Sequence, residues 1–172
     1  MRPFIPPSVA VLVVIVALTA CAGVNSPTSG TDVAAISRSI DSLNTKANRW
    51  FNAGATDSLV TGYYTSDAVV MSQNATADNG SDAIRKSLTD MFATSATRLH
   101  FHQSSLVASD SVASEQGQYT LEVRDKQDTS KVVSSGHGNY VTTFVKRNGQ
   151  WRALYDIGTS DVPAAVARSK TK

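Results

Sequence analysis

Apolar positions recur first at helical spacing and later in alternation. Ile36, Ile40, Leu43, Ala47 and Trp50 fall at steps of four, three, four and three, so they line one face of a helix predicted over residues 32–52. Thr31 or Asp32 can cap its first turn, and Ala53-Gly54 ends it. Asp57 is placed to cap a second, short helix carrying Leu59, Val60, Tyr63 and Tyr64. A strand over residues 67–71 follows, and Gly80-Ser81 open a third helix with Ile84, Leu88, Met91 and Phe92 on its apolar side. Beyond Arg98 only strands are predicted, over residues 98–108, 112–124, 131–147 and 150–159. Ser109-Asp110-Ser111 and Asp125-Lys126-Gln127-Asp128 form the turns between them. Trp50, Phe92, Phe144 and Trp151 take core positions. Three helices followed by four long strands is an α+β pattern, with the helices on the concave face of a curved, cone-shaped antiparallel sheet.

The last two strands meet at Asn148-Gly149, two residues that tolerate positive φ and therefore mark a hairpin. A one-residue slip would move every side chain of a strand to the other face, and two registers are open. A two-residue turn places Arg147 opposite Gln150 and puts Asp156 on the face of Val141, Thr143, Val145, Arg152 and Leu154. A three-residue loop with a bulge at Gly149 joins Val141, Thr143 and Val145 to Trp151, Ala153, Tyr155 and Ile157, leaving Asp156 beside Tyr140, Thr142 and Leu154. In both, Asp156 is a lone carboxylate inside a β-run.

The amino terminus reads as a targeting segment. Arg2 precedes an unbroken apolar run over residues 9–18, too short to span a bilayer as a helix and suited to a signal peptide over residues 1–20. It ends Leu18-Thr19-Ala20-Cys21, which resembles the bacterial lipobox; the resemblance implies cleavage before Cys21 and its lipidation. Two or more acyl chains give stable attachment, so the chain is expected to be anchored to the cell envelope without spanning it. Ala22 after the cysteine points to the periplasmic side of the outer membrane where two membranes exist. Residues 21–31 are the lipidated cysteine and a flexible spacer, residues 32–161 the one folded domain, and residues 162–172 a disordered basic tail.

Charge and cysteine content narrow the classes. Without Arg2, Arg168, Lys170 and Lys172, 12 basic residues remain against 14 acidic ones, with no basic stripe, so nucleic acid is not an expected partner. Cys21 is the only cysteine, which excludes an internal disulfide.

Several segments keep a recognisable order: Trp50-Phe51, the Asp57 helix, residues 64–71 (Tyr-Thr-Ser-Asp-Ala-Val-Val-Met), Gly80-Ser81-Asp82-Ala83-Ile84, Gly138-Asn139-Tyr140 and Asn148-Gly149-Gln150-Trp151. In that order they resemble the nuclear transport factor 2-like superfamily, in its SnoaL-like and ketosteroid-isomerase-like branches. The resemblance implies a conical cavity between the bent sheet and the helices, and dimerisation through the outer sheet face. It does not imply one activity, because members include isomerases, cyclases, dehydratases and non-catalytic modules. The isomerase branch places its base at the position of Ser72, a tyrosine donor at Ala47 or Asn48, and a protonated acid near Val141; only the supporting tyrosine has a match, Tyr64. Serine is no general base at neutral pH without a partner, so that chemistry is not expected to carry over.

Asp156 is the candidate catalytic carboxylate, since apolar walls would raise its pKa into a useful range. Tyr64, His100, His102, Thr143 and Leu154 are the candidate pocket residues. His100 and His102 point the same way on a strand, with His137 as a conceivable third ligand, but no closed ligand set is present and neither metal nor cofactor is expected. Tyr119 and Glu122 have opposite parity, so at most one faces the cavity. Two function classes follow: an envelope lipoprotein whose cavity binds a small, mostly apolar molecule or whose sheet self-associates, and an acid–base enzyme on a small lipophilic substrate with Asp156 as base.

Overall fold

The computed structural model describes residues 30–161. The signal segment, Cys21, nearly all of the spacer and the basic tail lie outside the described residues. Among the described residues no helix is long and apolar enough to cross a membrane.

The first helix, α1 (Val33–Asn52), is capped by Asp32, whose carboxylate accepts from the Ala35 N–H at 2.9 Å. Its expected apolar face is the buried one: Ile36, Ile40, Leu43 and Ala47 join the core, and Trp50 packs against it. The short α2 (Thr56–Gly62) has Ala55 at its N-cap, not Asp57, which sits in the first turn and pairs with Arg85. Tyr63 and Tyr64 therefore leave the helix: Tyr63 is its C-cap and Tyr64 opens the first strand, β1 (Tyr64–Ser72). A two-residue strand absent from the sequence reading, β2 (Asp78–Asn79), precedes α3 (Gly80–Thr94), which buries Ile84, Leu88 and Phe92. The long strands are β3 (Ala96–Ala108), β4 (Val112–Arg124), β5 (Val132–Arg147) and β6 (Gln150–Ser160).

Three helices pack on one curved, unclosed sheet of strand order β2-β1-β6-β5-β4-β3. The sheet is mixed and not wholly antiparallel, because β1 runs parallel to β6. β1 is flanked by the short antiparallel β2 on one side and by β6 on the other, and β6 reaches it after α3 and the three antiparallel strands β3 to β5. The Ala153 N–H donates to the Tyr63 carbonyl at 2.8 Å where the two strands begin to run together. Arg147 donates to both carboxylate oxygens of Asp67, at 2.6 and 3.0 Å, tying the hairpin tip to β1.

The hairpin combines the two expected registers. Asn148 and Gly149 have φ of 51° and 77°, and Arg147 lies opposite Gln150, as a two-residue turn requires. The pairing then slips by one: Phe144 faces Ala153, Thr143 faces Tyr155, and Leu154 is the extra residue of a bulge. Beyond the bulge Asp156 faces Thr142 and Gly158 faces Tyr140. The parity change keeps Trp151 and Ala153 in the core and also turns Asp156 inward.

Candidate functional site

A cavity of about 490 Å³ lies between α1, α2, α3 and the concave face of the sheet. Phe51, Leu59, Ile84, Leu88, Leu99, Phe101 and Leu121 supply its apolar walls, while Ser72, Gln73, Asp78, Ser87 and Ser160 add polar groups. Ring contacts stiffen it: Phe101 meets Tyr140 edge-on at 4.9 Å between centroids, and Tyr63 meets Tyr64 at 4.9 Å. The volume lies within the range of about 300–1,000 Å³ that ligand pockets span, and the lining is mostly apolar.

Asp156 carries the chemistry of the inner wall. The Tyr64 hydroxyl donates to Oδ2 at 2.9 Å and the Thr142 hydroxyl donates to Oδ1 at 3.1 Å. Each carboxylate oxygen keeps a free lone pair, so the group can still accept a proton or a hydrogen bond from an occupant. Burial pushes the Asp156 carboxyl above its ordinary pKa, and the hydrogen bonds from Tyr64 and Thr142 pull it partly back. The Tyr64 hydroxyl is held well above its usual range, first by burial and then by the Asp156 charge, so it stays a donor.

Tyr64 thus lines the cavity with Asp156. The expectation that His100 and His102 line it is corrected: Leu99 and Phe101 take the inward positions of β3, and alternation sends both histidines to the convex face. There His100 lies across Thr120 from His137, beside Arg98 and Glu122, in a separate depression. No group of three metal-ligating side chains is assembled among the described residues. Thr143 and Leu154 are likewise not in the cavity wall: Thr143 alternates with the inward Thr142, and Leu154 is the bulge residue. Tyr119 lines the cavity, whereas Glu122 pairs with Arg124.

Sequence reasoning passed over a second polar cluster. Glu115 on β4 is fully buried and accepts from both Asn44 on α1 and Tyr140 on β5. Its signal was parity: Glu115 alternates with the small residues Ala113 and Gly117, both on the buried face. Asn44 sits four residues after Ile40 and three before Ala47, on the core stripe of α1.

No family model matches the chain, and no curated protein matches it. Solved structures do. A ketosteroid isomerase-like protein from Erwinia carotovora atroseptica superposes with a TM-score of 0.64 at 17% identity, over 73% of this chain and 96% of that one. An NTF-2 like protein of unknown function from Shewanella oneidensis gives 0.61 at 18% identity, over 72% and 98%. The chain has the nuclear transport factor 2-like fold. A scytalone dehydratase-like protein from Novosphingobium aromaticivorans shares it, with a TM-score of 0.64 at 18% identity over 81% and 97%. At these identities the likeness is one of fold.

Within the nuclear transport factor 2-like fold, the positions tied to isomerase chemistry can be placed. Ser72 and Ala47 line the cavity, and neither is a carboxylate or a phenol. Val141 is 40% exposed, on the face opposite the inward Tyr140 and Thr142. Asp156 supplies a carboxylate to this cavity instead, one strand over from Ser72, which pairs with Gly158; Asp78 supplies another.

Proposed function

We propose that this protein is an envelope lipoprotein whose cavity binds a small, mostly apolar molecule carrying one hydrogen-bonding group, which Asp156 and Tyr64 recognise. The observation that carries the reading is the Tyr64–Asp156 pair, backed by the buried Thr142, in the wall of a mainly apolar cavity of about 490 Å³. Apolar walls supply affinity in proportion to the area they cover, and the carboxylate supplies orientation. The anchor is argued from the sequence alone, from the lipobox-like Leu18-Thr19-Ala20-Cys21. It places the cavity in the envelope, where lipophilic compounds partition.

Native mass spectrometry of the full-length chain, released from cell membranes in mild detergent, tests the reading. A reproducible small-molecule adduct is expected, lost in Ser87→Trp, which fills the cavity from α3. An adduct-free wild type would count against it.

A second reading, acid–base catalysis on a small lipophilic substrate, is favoured by burial raising Asp156 toward the range of a general base. Its test is α-proton exchange of a cyclic ketone such as 2-tetralone in deuterated water. Exchange that Asp156→Asn abolishes would establish the enzyme, and the absence of exchange by the wild type would remove it.

A further inference from the structure

Glu115, Thr142 and Asp156 lie directly opposite one another across β4, β5 and β6, forming one polar row on the concave face. Two inter-strand spacings, roughly 10 Å, separate the backbones of the two acids. Asp156 borders the cavity, whereas Glu115 is fully buried beneath α1 and does not line it.

Three hydrogen bonds converge on Glu115. Asn44 Nδ2 donates to both carboxyl oxygens, at 2.9 and 3.0 Å, and the Tyr140 hydroxyl donates to Oε1. All are donors, which suits a carboxylate; a protonated group would need an acceptor for its own hydrogen. The amide oxygen of Asn44 in turn accepts from the Tyr63 hydroxyl at 3.2 Å. Tyr63 and Tyr140 both present their rings to the cavity, yet both commit their hydroxyl protons behind its wall.

We infer that Glu115 is a positioning residue of the cavity: it draws the Tyr140 hydroxyl to itself and the Tyr63 hydroxyl through Asn44, leaving Tyr64–Asp156 as the polar pair that the inner wall offers. The inference rests on the binding reading above and deepens it: the wall beside Tyr63 and Tyr140 takes an apolar part of the occupant, and the occupant's polar group meets Tyr64–Asp156. A second polar group facing Tyr63 or Tyr140 would lose its water and find no free donor there. Burial raises Glu115 above its ordinary pKa, Tyr140 and Asn44 pull it down, and Asp41 and Asp156 push it up. The titratable groups around it are Asp41 on α1, Tyr63 after α2, Tyr140 on β5 and Asp156 on β6; β3 sets the apolar Leu106 opposite it.

The test uses full-length chain in detergent, with Asp156→Asn, Glu115→Leu and Asn44→Ala. In the ligand-free protein, the carbon-13 resonance of the Glu115 carboxyl is followed against pH. Asp156 faces Glu115 across Thr142 and pushes it up, so Asp156→Asn is expected to move the midpoint down. A role confined to packing would leave the midpoint in place. Binding is then compared for 2-naphthol and 2,6-dihydroxynaphthalene. Wild type is expected to favour the monohydroxy compound about tenfold, the cost of stranding one polar group. Glu115→Leu and Asn44→Ala remove the acceptors of the Tyr140 and Tyr63 hydroxyls and are each expected to narrow that preference. An unmoved midpoint with an unchanged preference overturns the role of Glu115. A wild type that binds neither compound while the midpoint still moves overturns the binding reading, and leaves the coupling of the two acids standing.

Discussion

Asp156 lies opposite Thr142 across β5 and β6, although the turn joining those strands sets Arg147 opposite Gln150. The two pairings are compatible only because Leu154 is an extra residue in β6. Upstream of it the strand buries Trp151 and Ala153; downstream it presents Asp156, Gly158 and Ser160 to the cavity. One residue thus lets a single strand serve both core and site.

Deletion of Leu154 makes those roles compete. With Trp151 and Ala153 kept in the core, Asp156 turns outward and loses its bonds from Tyr64 and Thr142. The variant is expected to lose about 2 kcal/mol or more of stability, at about 1 kcal/mol per hydrogen bond. Its Asp156 carboxyl should titrate in the ordinary range. Urea unfolding and carboxyl NMR measure the two effects.

Stability should decline as the solution becomes less acidic. Burial raises the Asp156 and Glu115 carboxyls, so the folded chain holds protons that the unfolded chain has already released. Stability from this source is full below about pH 4 and is lost as pH rises through the raised values. Asp67 acts in the opposite sense: hydrogen bonds from Arg147 lower it to about 2, so its contribution is present above the ordinary carboxylate value and lost as pH falls through about 2. That pair is exposed and screened, and it should count for less. Urea unfolding between about pH 4 and about pH 8 is expected to fall less steeply in Asp156→Asn than in wild type.

Gly138 is needed for close strand approach. A Cβ there would strike the Thr159 carbonyl oxygen, a backbone atom that cannot rotate away. Gly138→Ala is therefore expected to cost about 1–3 kcal/mol, measured by denaturant unfolding. Gly136→Ala, where a Cβ would meet nothing within 4 Å, should be close to neutral and serves as the control.

Cys21→Ser tests the anchor. The wild-type chain is expected to take up an alkyne-tagged fatty acid in growing cells and to sediment with membranes; the variant should do neither. Label retained in the variant would contradict lipidation at Cys21.

Much of the fold was legible because periodicity and turn chemistry act locally. The apolar face of α1, the start of α3, both ends of β4 and the Asn148-Gly149 turn follow from residues near one another in sequence. The sequence also singled out Asp156, as a carboxylate in a β-run, and Tyr64, through the family resemblance, and both line the cavity. What escaped depends on distant parts of the chain. The Leu154 bulge is set by the need to bury Trp151 and Ala153 while continuing along β5, and no residue near Leu154 announces it. The histidines were given the wrong face because parity along β3 is fixed only by which side meets α1. Glu115 looked like an ordinary strand residue; its partners lie 71 residues away on α1 and 25 away on β5.

The most direct test of the central claim is the equilibrium affinity of the full-length chain for 2-naphthol, compared between wild type and Asp156→Asn by fluorescence titration. Saturable binding with one site per cavity is expected, weakened about tenfold or more in the variant, because a hydrogen bond to a charged acceptor contributes about 1.5–3 kcal/mol. Equal affinity in the two proteins, or no binding by the wild type, would contradict the assignment of Asp156 as the recognition point of a ligand-binding cavity.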